Sequence, residues 1–182
     1  SIGIQAGTQS LISNSVGAKE NKKASLYVAQ SIIFATLISI FVTLFGLNFS
    51  EHLLKIMGSS PESIILTRKY LDIIFYGSII ILVQLSLNGT LSAQGDTKSY
   101  RNILIISFFL NIFLNPLFIF GYGIIPAFGI AGLAISTLIA QGIGVFYLIY
   151  KVYCCKLKKF LYLECFIPKI NLLINLFKQS VP

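Results

Sequence analysis

Long uncharged stretches alternate with short charged loops along the chain. Uncharged runs cover 24–50, 73–95 and 102–150, and residues 1–16 are also largely apolar. About 20 apolar residues are enough for one helix to cross the hydrocarbon core of a bilayer. The run 102–150 is therefore long enough for two crossings, and the segment 121–126 separates them because two glycines and a proline end a helix there.

This pattern predicts an all-α, polytopic bundle of transmembrane helices. Strands of outer-membrane barrels alternate polar and apolar residues, whereas these segments are apolar on every face. Since the chain is already apolar at Ser1, we expect it to begin inside a helix and to be a piece of a longer protein. Residues 1–150 are predicted to form the bundle, with crossings at about 1–16 (partial), 24–50, 73–95, 102–121 and 130–150.

Composition supports a membrane protein and excludes several other classes. Charged residues make up 11% of the chain, against roughly 25% in soluble domains, and the mean hydropathy is +0.84. No acid, histidine or cysteine pair lies within a span, so we expect no enzyme activity and no cofactor. The three cysteines have neither disulfide-framework nor zinc-site spacing.

The net charge of +8 is explained by orientation rather than by nucleic acid. Eleven Lys and Arg residues fall in the loops 17–23 and 96–101 and in the tail 151–182, which share one side of the membrane. Three fall in the loops on the other side. The positive-inside rule therefore places the first group in the cytoplasm. Within the tail, 169–178 has the pattern of a short amphipathic helix on the membrane surface.

Polar side chains inside the spans are the candidate functional residues. Asn111 and Asn115 are four residues apart and share one helix face. Pro116 leaves the carbonyl of Ile112 without its helical partner, beside the two amides. Polar groups at this depth need partners, which can be neighbouring helices or the contents of a polar cavity.

A second set of positions at steps of four follows in the next span. Gly132, Ser136, Ala140 and Gly144 form a small-residue stripe. Such stripes allow close helix packing, which is the role we expect here.

Several stretches, taken in order, resemble the multidrug and toxic compound extrusion (MATE) transporters. They are Ser13–Glu20, Tyr70-Leu71, Gly95–Lys98, Leu110–Gly121 and Gly129–Gln141. The resemblance implies twelve helices in two lobes and export of cationic, amphipathic drugs in exchange for sodium ions or protons. This chain would be part of the N-terminal lobe in the plasma membrane. Residues 151–182 would be the cytoplasmic linker to a second lobe that is missing here.

The resemblance also implies a polar cavity for the coupling ion. Asn111 matches an asparagine of one family branch, Asn115 stands where that branch has an aspartate, and Thr137 is the nearest candidate for a threonine. An amide cannot titrate, but its oxygen can bind a sodium ion. Gln84 and Asn88, which make their own span partly polar, are further candidates for the cavity.

Two alternatives remain at this point. A lipid-linked oligosaccharide flippase of the same superfamily should have cationic residues in its cavity, and none occurs between Asn102 and Tyr150. A non-transporting fragment is favoured by the missing segments and by Asn115.

Overall fold

The computed structural model describes residues 2–56, 58, 60–123, 126–155 and 163–180. Over these ranges the chain forms a helical bundle, and the predicted all-α membrane fold is confirmed. The helices are α1 (Ile2–Gly17), α2 (Asn21–Ile56), α3 (Pro61–Tyr76), α4 (Ser78–Ala93), α5 (Lys98–Phe120), α6 (Ile130–Cys154) and α7 (Ile170–Ser180). A short 3-10 turn, Leu163–Phe166, precedes α7.

Helix α4 is the centre of the bundle. It packs against α1, α2 and α6, while α5 packs on the far side of α6. Leu87 and Leu91 of α4 belong to the main apolar cluster, together with Ile12, Val28 and Leu148 from the surrounding helices. The same helix also buries polar side chains, namely Gln84, Ser86, Asn88 and Thr90. The core is therefore mixed, and α2 also contributes buried polar side chains, among them Gln30, Ser31 and Ser39.

The predicted crossing 73–95 is broken in the structure. Helices α3 and α4 meet at Gly77 with a bend of 47°. Thr43 of α2 donates a hydrogen bond to the Phe75 carbonyl at 2.7 Å, so this carbonyl keeps a partner at the break. A Cβ atom at residue 77 would lie 2.2 Å from the Leu138 side chain, so glycine at the break leaves room for this side chain of α6.

The remaining long helices are α2, α5 and α6, and each is apolar enough to cross a membrane. Their ends extend past the uncharged runs: α2 covers 36 residues, and α6 continues to Cys154. Pro116 lies within α5, which continues through it to Phe120. Most of the large side chains exposed on these helices are apolar, as is expected of surfaces that contact lipid.

The loop before α5 ends in a side-chain cap. The Asp96 carboxylate accepts hydrogen bonds from the Ser99 backbone N–H at 3.0 Å and from the Ser99 hydroxyl at 2.6 Å. Hydrogen bonding from the Ser99 side chain holds the pKa of Asp96 below its usual value, with smaller contributions from the Ser99 backbone and from Lys151. The carboxylate thus stabilises the first turn of α5.

The tail forms the predicted short amphipathic helix. Helix α7 packs along α1 and α2, and Leu176 is buried against these helices. The basic residues Lys156, Lys158 and Lys159 lie outside the described residues.

The small-residue stripe of α6 packs as expected, since all four of its residues are buried. A Cβ atom at Gly132 would lie 2.4 Å from the Phe118 carbonyl oxygen of α5. One at Gly144 would lie 2.8 Å from Ile103 of the same helix. At Gly132 the stripe therefore lets the backbones of α5 and α6 approach closely, and at Gly144 it leaves room for the Ile103 side chain.

This packing predicts opposite effects at two glycines of α6. Gly132→Ala should lower the free energy of unfolding by about 1–3 kcal/mol, because backbone atoms of α5 would have to move. Gly142→Ala is the matched control: nothing lies within 4 Å of its Cβ position. It should raise stability by up to about 1 kcal/mol through helix propensity. Unfolding in detergent measures both, and the same sign at both positions would contradict the packing described here.

Candidate functional site

Asn115 meets Ser136 across the seam between α5 and α6. The Ser136 hydroxyl lies within hydrogen-bonding distance of the Asn115 side-chain oxygen. It also lies 2.9 Å from the Gly132 carbonyl and 3.1 Å from the Leu133 carbonyl of its own helix, and its one proton can be directed to any of the three acceptors. Ser136 is fully buried and Asn115 is partly exposed, so the contact lies at the edge of the packed seam. The amide at 115 thus has a partner on the next helix.

Asn111, one turn earlier, keeps a free oxygen. Its side-chain nitrogen donates to the Ser107 carbonyl at 2.9 Å. Its side-chain oxygen is buried and has no hydrogen-bond partner. A buried acceptor without a hydrogen bond destabilises the folded state, so binding of a donor, a water molecule or a cation to this oxygen is favourable. Of the two amides, Asn111 is the one with an oxygen available to a ligand.

Thr137 does not join this pair directly. Its hydroxyl donates to the Leu133 carbonyl of its own helix at 2.8 Å. The hydroxyl oxygen retains acceptor capacity, but the hydrogen bond described here is local.

Gln84 and Asn88 lie in a different part of the bundle, on α4. Gln84 is 4% exposed and lies beside Gly144, whose Cβ position is 3.0 Å from the Gln84 side-chain nitrogen. Asn88 is 1% exposed and accepts a hydrogen bond from Ser92 at 3.3 Å. Ser136 and Gly144 are eight residues apart on α6, which corresponds to about 12 Å along the helix. The five predicted residues therefore do not form one site: Asn111 and Asn115 lie in the α5–α6 seam, Gln84 and Asn88 lie on α4, and the Thr137 hydroxyl is bonded within α6.

Two residues outside the predicted site make polar contacts of their own. Ser136 belongs to the small-residue stripe, and the signal in the sequence for its second role is the pair of amides on α5, which need a hydrogen-bond partner on a neighbouring helix. Gln30 lies within the uncharged run 24–50, fully buried, and is hydrogen-bonded to the tail. Gln30 is hard to identify from the sequence, because one uncharged polar residue hardly changes the mean hydropathy of a long apolar run.

The electrostatics of the seam depend on neutral oxygen atoms. Within the described ranges no group of three or more His, Cys, Asp or Glu residues is placed to hold a metal ion. The α5–α6 seam offers amide, hydroxyl and carbonyl oxygens, which are the ligands that hard cations prefer.

The comparisons with known proteins give the family. The MatE family profile matches residues 1–117. The chain belongs to the MatE family. The resemblance to MATE transporters is thereby confirmed, and the chain is part of a multi-pass membrane protein from a family of transporters rather than enzymes.

Curated relatives and solved structures agree with this assignment. A probable multidrug resistance protein of Bacillus subtilis, YoeA, is 30% identical over 76% of this chain and 30% of its own length. An FAD transporter of Shewanella oneidensis is 27% identical over 75% of this chain and 30% of its own length. The chain therefore spans about a third of these relatives' length.

The fold comparison covers the whole chain. An inward-facing structure of a multidrug resistance MATE transporter of the MOP superfamily superposes with a TM-score of 0.88 and 25% identity. The match covers 100% of this chain and 40% of the other.

The contact between Asn115 and Ser136 predicts an energetic coupling between α5 and α6. In a double-mutant cycle of Asn115→Ala and Ser136→Ala, the coupling energy should be about 0.6–1.7 kcal/mol, the range for hydrogen bonds between membrane helices. The cycle of Asn115→Ala with Thr137→Ala should give a value near zero, because Thr137 bonds to its own helix. Unfolding in detergent measures all of these variants. Equal coupling in the two cycles would show that the amide has no specific partner in Ser136.

Proposed function

We propose that this chain forms part of the N-terminal lobe of a transporter that exports small organic cations in exchange for sodium ions. The observation that carries the proposal is the family match over residues 1–117, together with a likeness to a multidrug transporter over the whole fold. Export by the full-length protein requires a second lobe, since alternating access is a movement of one helix bundle against another.

The chemistry of the α5–α6 seam favours sodium ions over protons. Asn115 cannot release a proton at any physiological pH, and its oxygen accepts from Ser136. The unpaired Asn111 oxygen offers one ligand, and Asn115 offers a second when Ser136 directs its proton to its own helix. Thr137, Gln84 and Asn88 are proposed to line the wider polar path. A proton-coupled mechanism would need a titratable group elsewhere in the full protein.

We further propose the orientation that the charge distribution indicates. The loops 17–23 and 96–101 and the tail 151–182 lie in the cytoplasm, with the bundle in the plasma membrane. The tail acts as the linker to the second lobe. The support is the excess of Lys and Arg on that side.

Other cargoes fit this part of the protein less well. The FAD transporter among the relatives and a lipid-linked oligosaccharide flippase both suggest anionic cargo, which calls for cationic side chains in the cavity. The two helices of the α5–α6 seam carry none from Asn102 to Tyr150. An organic cation meets no such repulsion there, and the exposed aromatic rings can contact it favourably. A non-transporting fragment is the remaining alternative.

The proposal predicts a sodium-dependent transport activity that is sensitive to Asn111. In vesicles that contain the full-length protein, an inward sodium gradient should drive export of ethidium. Asn111→Leu should raise the half-saturating sodium concentration about tenfold, as expected for loss of roughly 1.4 kcal/mol of ligand binding.

Asn48→Leu is the matched control. Asn48 also donates to the carbonyl four residues before it, but it is exposed on α2. This variant should leave the sodium dependence unchanged. Transport that runs only on a pH gradient and is abolished by Asn115→Ala would contradict the sodium assignment, and absence of any export would support the non-transporting alternative.

A further inference from the structure

Gln30 fastens the tail of the chain to α2. Its side-chain nitrogen donates to the Cys165 carbonyl at 2.9 Å and to the Ile167 carbonyl at 2.7 Å. Its side-chain oxygen accepts from the Lys169 backbone N–H at 2.9 Å. Both donor hydrogens and the acceptor of one fully buried amide are thus used on a single five-residue segment, 165–169.

All three partners are backbone groups, and this determines what the amide can do. A carboxamide is the side-chain group that offers two donors and an acceptor without a charge. Leucine is similar in size, but it would leave two carbonyls and one N–H of the segment without these hydrogen bonds. Since the Gln30 amide is fully buried, the backbone groups that face it are shielded on that side, and loss of their hydrogen bonds is unfavourable. Gln30 therefore specifies the path of residues 165–169 whatever side chains they carry.

The segment leads directly into α7, which fits into a notch on α1. The notch is formed by Gly3 and Gly7, one turn apart. A Cβ atom at Gly3 would lie 2.0 Å from the Ser180 carbonyl oxygen, and one at Gly7 would lie 2.7 Å from the Ser180 hydroxyl. At Gly3 the backbone of α7 thus reaches the backbone of α1, which a side chain there would prevent. At Gly7 the nearest atom is the rotatable Ser180 hydroxyl, so a side chain there needs only a small shift of the end of α7.

The middle of α7 is held by apolar contacts. Leu176 is 1% exposed and packs in a cluster with Ile4, Phe34 and Leu82 from three other helices. The start, the middle and the end of the segment 165–180 are thus each fixed to the bundle by a different kind of contact.

We infer that Gln30 is a positioning residue: it fastens residues 165–169 to α2 and so holds α7 in the Gly3–Gly7 notch. Residues 165–180 then move as one body with this bundle during transport. The part of the inference that concerns movement rests on the proposed transport function. The part that concerns docking does not.

A pair of introduced cysteines reports the docking directly. In the full-length protein, Cys154, Cys155 and Cys165 are first changed to serine, which keeps the backbone carbonyl that Gln30 bonds. Gly7→Cys and Ser180→Cys then place two thiols at a separation suited to a disulfide, since the residue 7 Cβ position is 2.7 Å from the Ser180 side-chain oxygen. Mild oxidation should cross-link this pair rapidly. Adding Gln30→Leu should slow cross-linking about tenfold by lowering the docked population.

Two controls separate positioning from general damage. A second pair, Ile103→Cys with Gly144→Cys, reports the α5–α6 contact and should cross-link equally well with and without the Gln30→Leu change. Gln84→Leu removes another buried glutamine amide, and it should not slow the cross-link between positions 7 and 180. If Gln30→Leu left the rate of the 7–180 cross-link unchanged, or slowed both pairs together, the positioning role would be overturned.

Transport after oxidation tests whether α7 stays docked. Protein with the 7–180 disulfide should export ethidium within about twofold of the reduced protein. If α7 stays docked in every conformation of the transport cycle, the disulfide favours none of these conformations over another. Loss of export on oxidation, restored by reduction, would show that α7 must leave the notch and would overturn the shared movement. If the reduced parent exports nothing, the proposed function fails, while the cross-linking rates still decide the role of Gln30.

Discussion

A polar group inside a bilayer has no water to bond with, so each one must find a partner among the helices. Helix α4 shows how strongly this requirement shapes the bundle. Ser86 donates to Ser31 of α2 at 2.9 Å, and Ser78 donates to the Ser39 carbonyl of the same helix at 3.2 Å. These bonds fix the register of α2 against α4 through hydroxyl groups, because apolar side chains gain little by leaving lipid for one another. The seam between α5 and α6 follows the same rule with an amide and a hydroxyl.

Close backbone approach makes these short polar contacts possible. Gly132 brings α6 against α5 at the turn just before Ser136, and Gly89 brings α4 against the Gln5 carbonyl of α1. Where a small residue lets two helix backbones approach closely, a side chain as short as serine can reach the neighbouring helix. Small residues and short polar side chains therefore act together in this bundle. Small residues set the distance between helices, and short polar side chains determine which registers pair most of the polar groups, with the Asn111 oxygen as an exception.

The sequence predicted the membrane fold well and the candidate site only partly. Uncharged runs identify helices reliably, because transfer of charged groups into lipid is so unfavourable. The break at Gly77 was missed because a glycine in an apolar run has the same hydropathy whether the helix continues or bends. The amides at 111 and 115 were found as a pair, yet their different states depend on Ser136, which lies on another helix. Gln84 and Asn88 could not be assigned to a separate group, since spacing along one helix carries no information about which neighbour it faces.

Pro116 has a chemical consequence that is separate from its effect on α5. Asparagine side chains slowly lose ammonia when the backbone nitrogen of the next residue attacks the side-chain carbonyl and closes a five-membered succinimide ring. Proline has no hydrogen on that nitrogen, so this route is closed for Asn115. The amide that faces Ser136 is thus protected from the succinimide route by which asparagine becomes an acid.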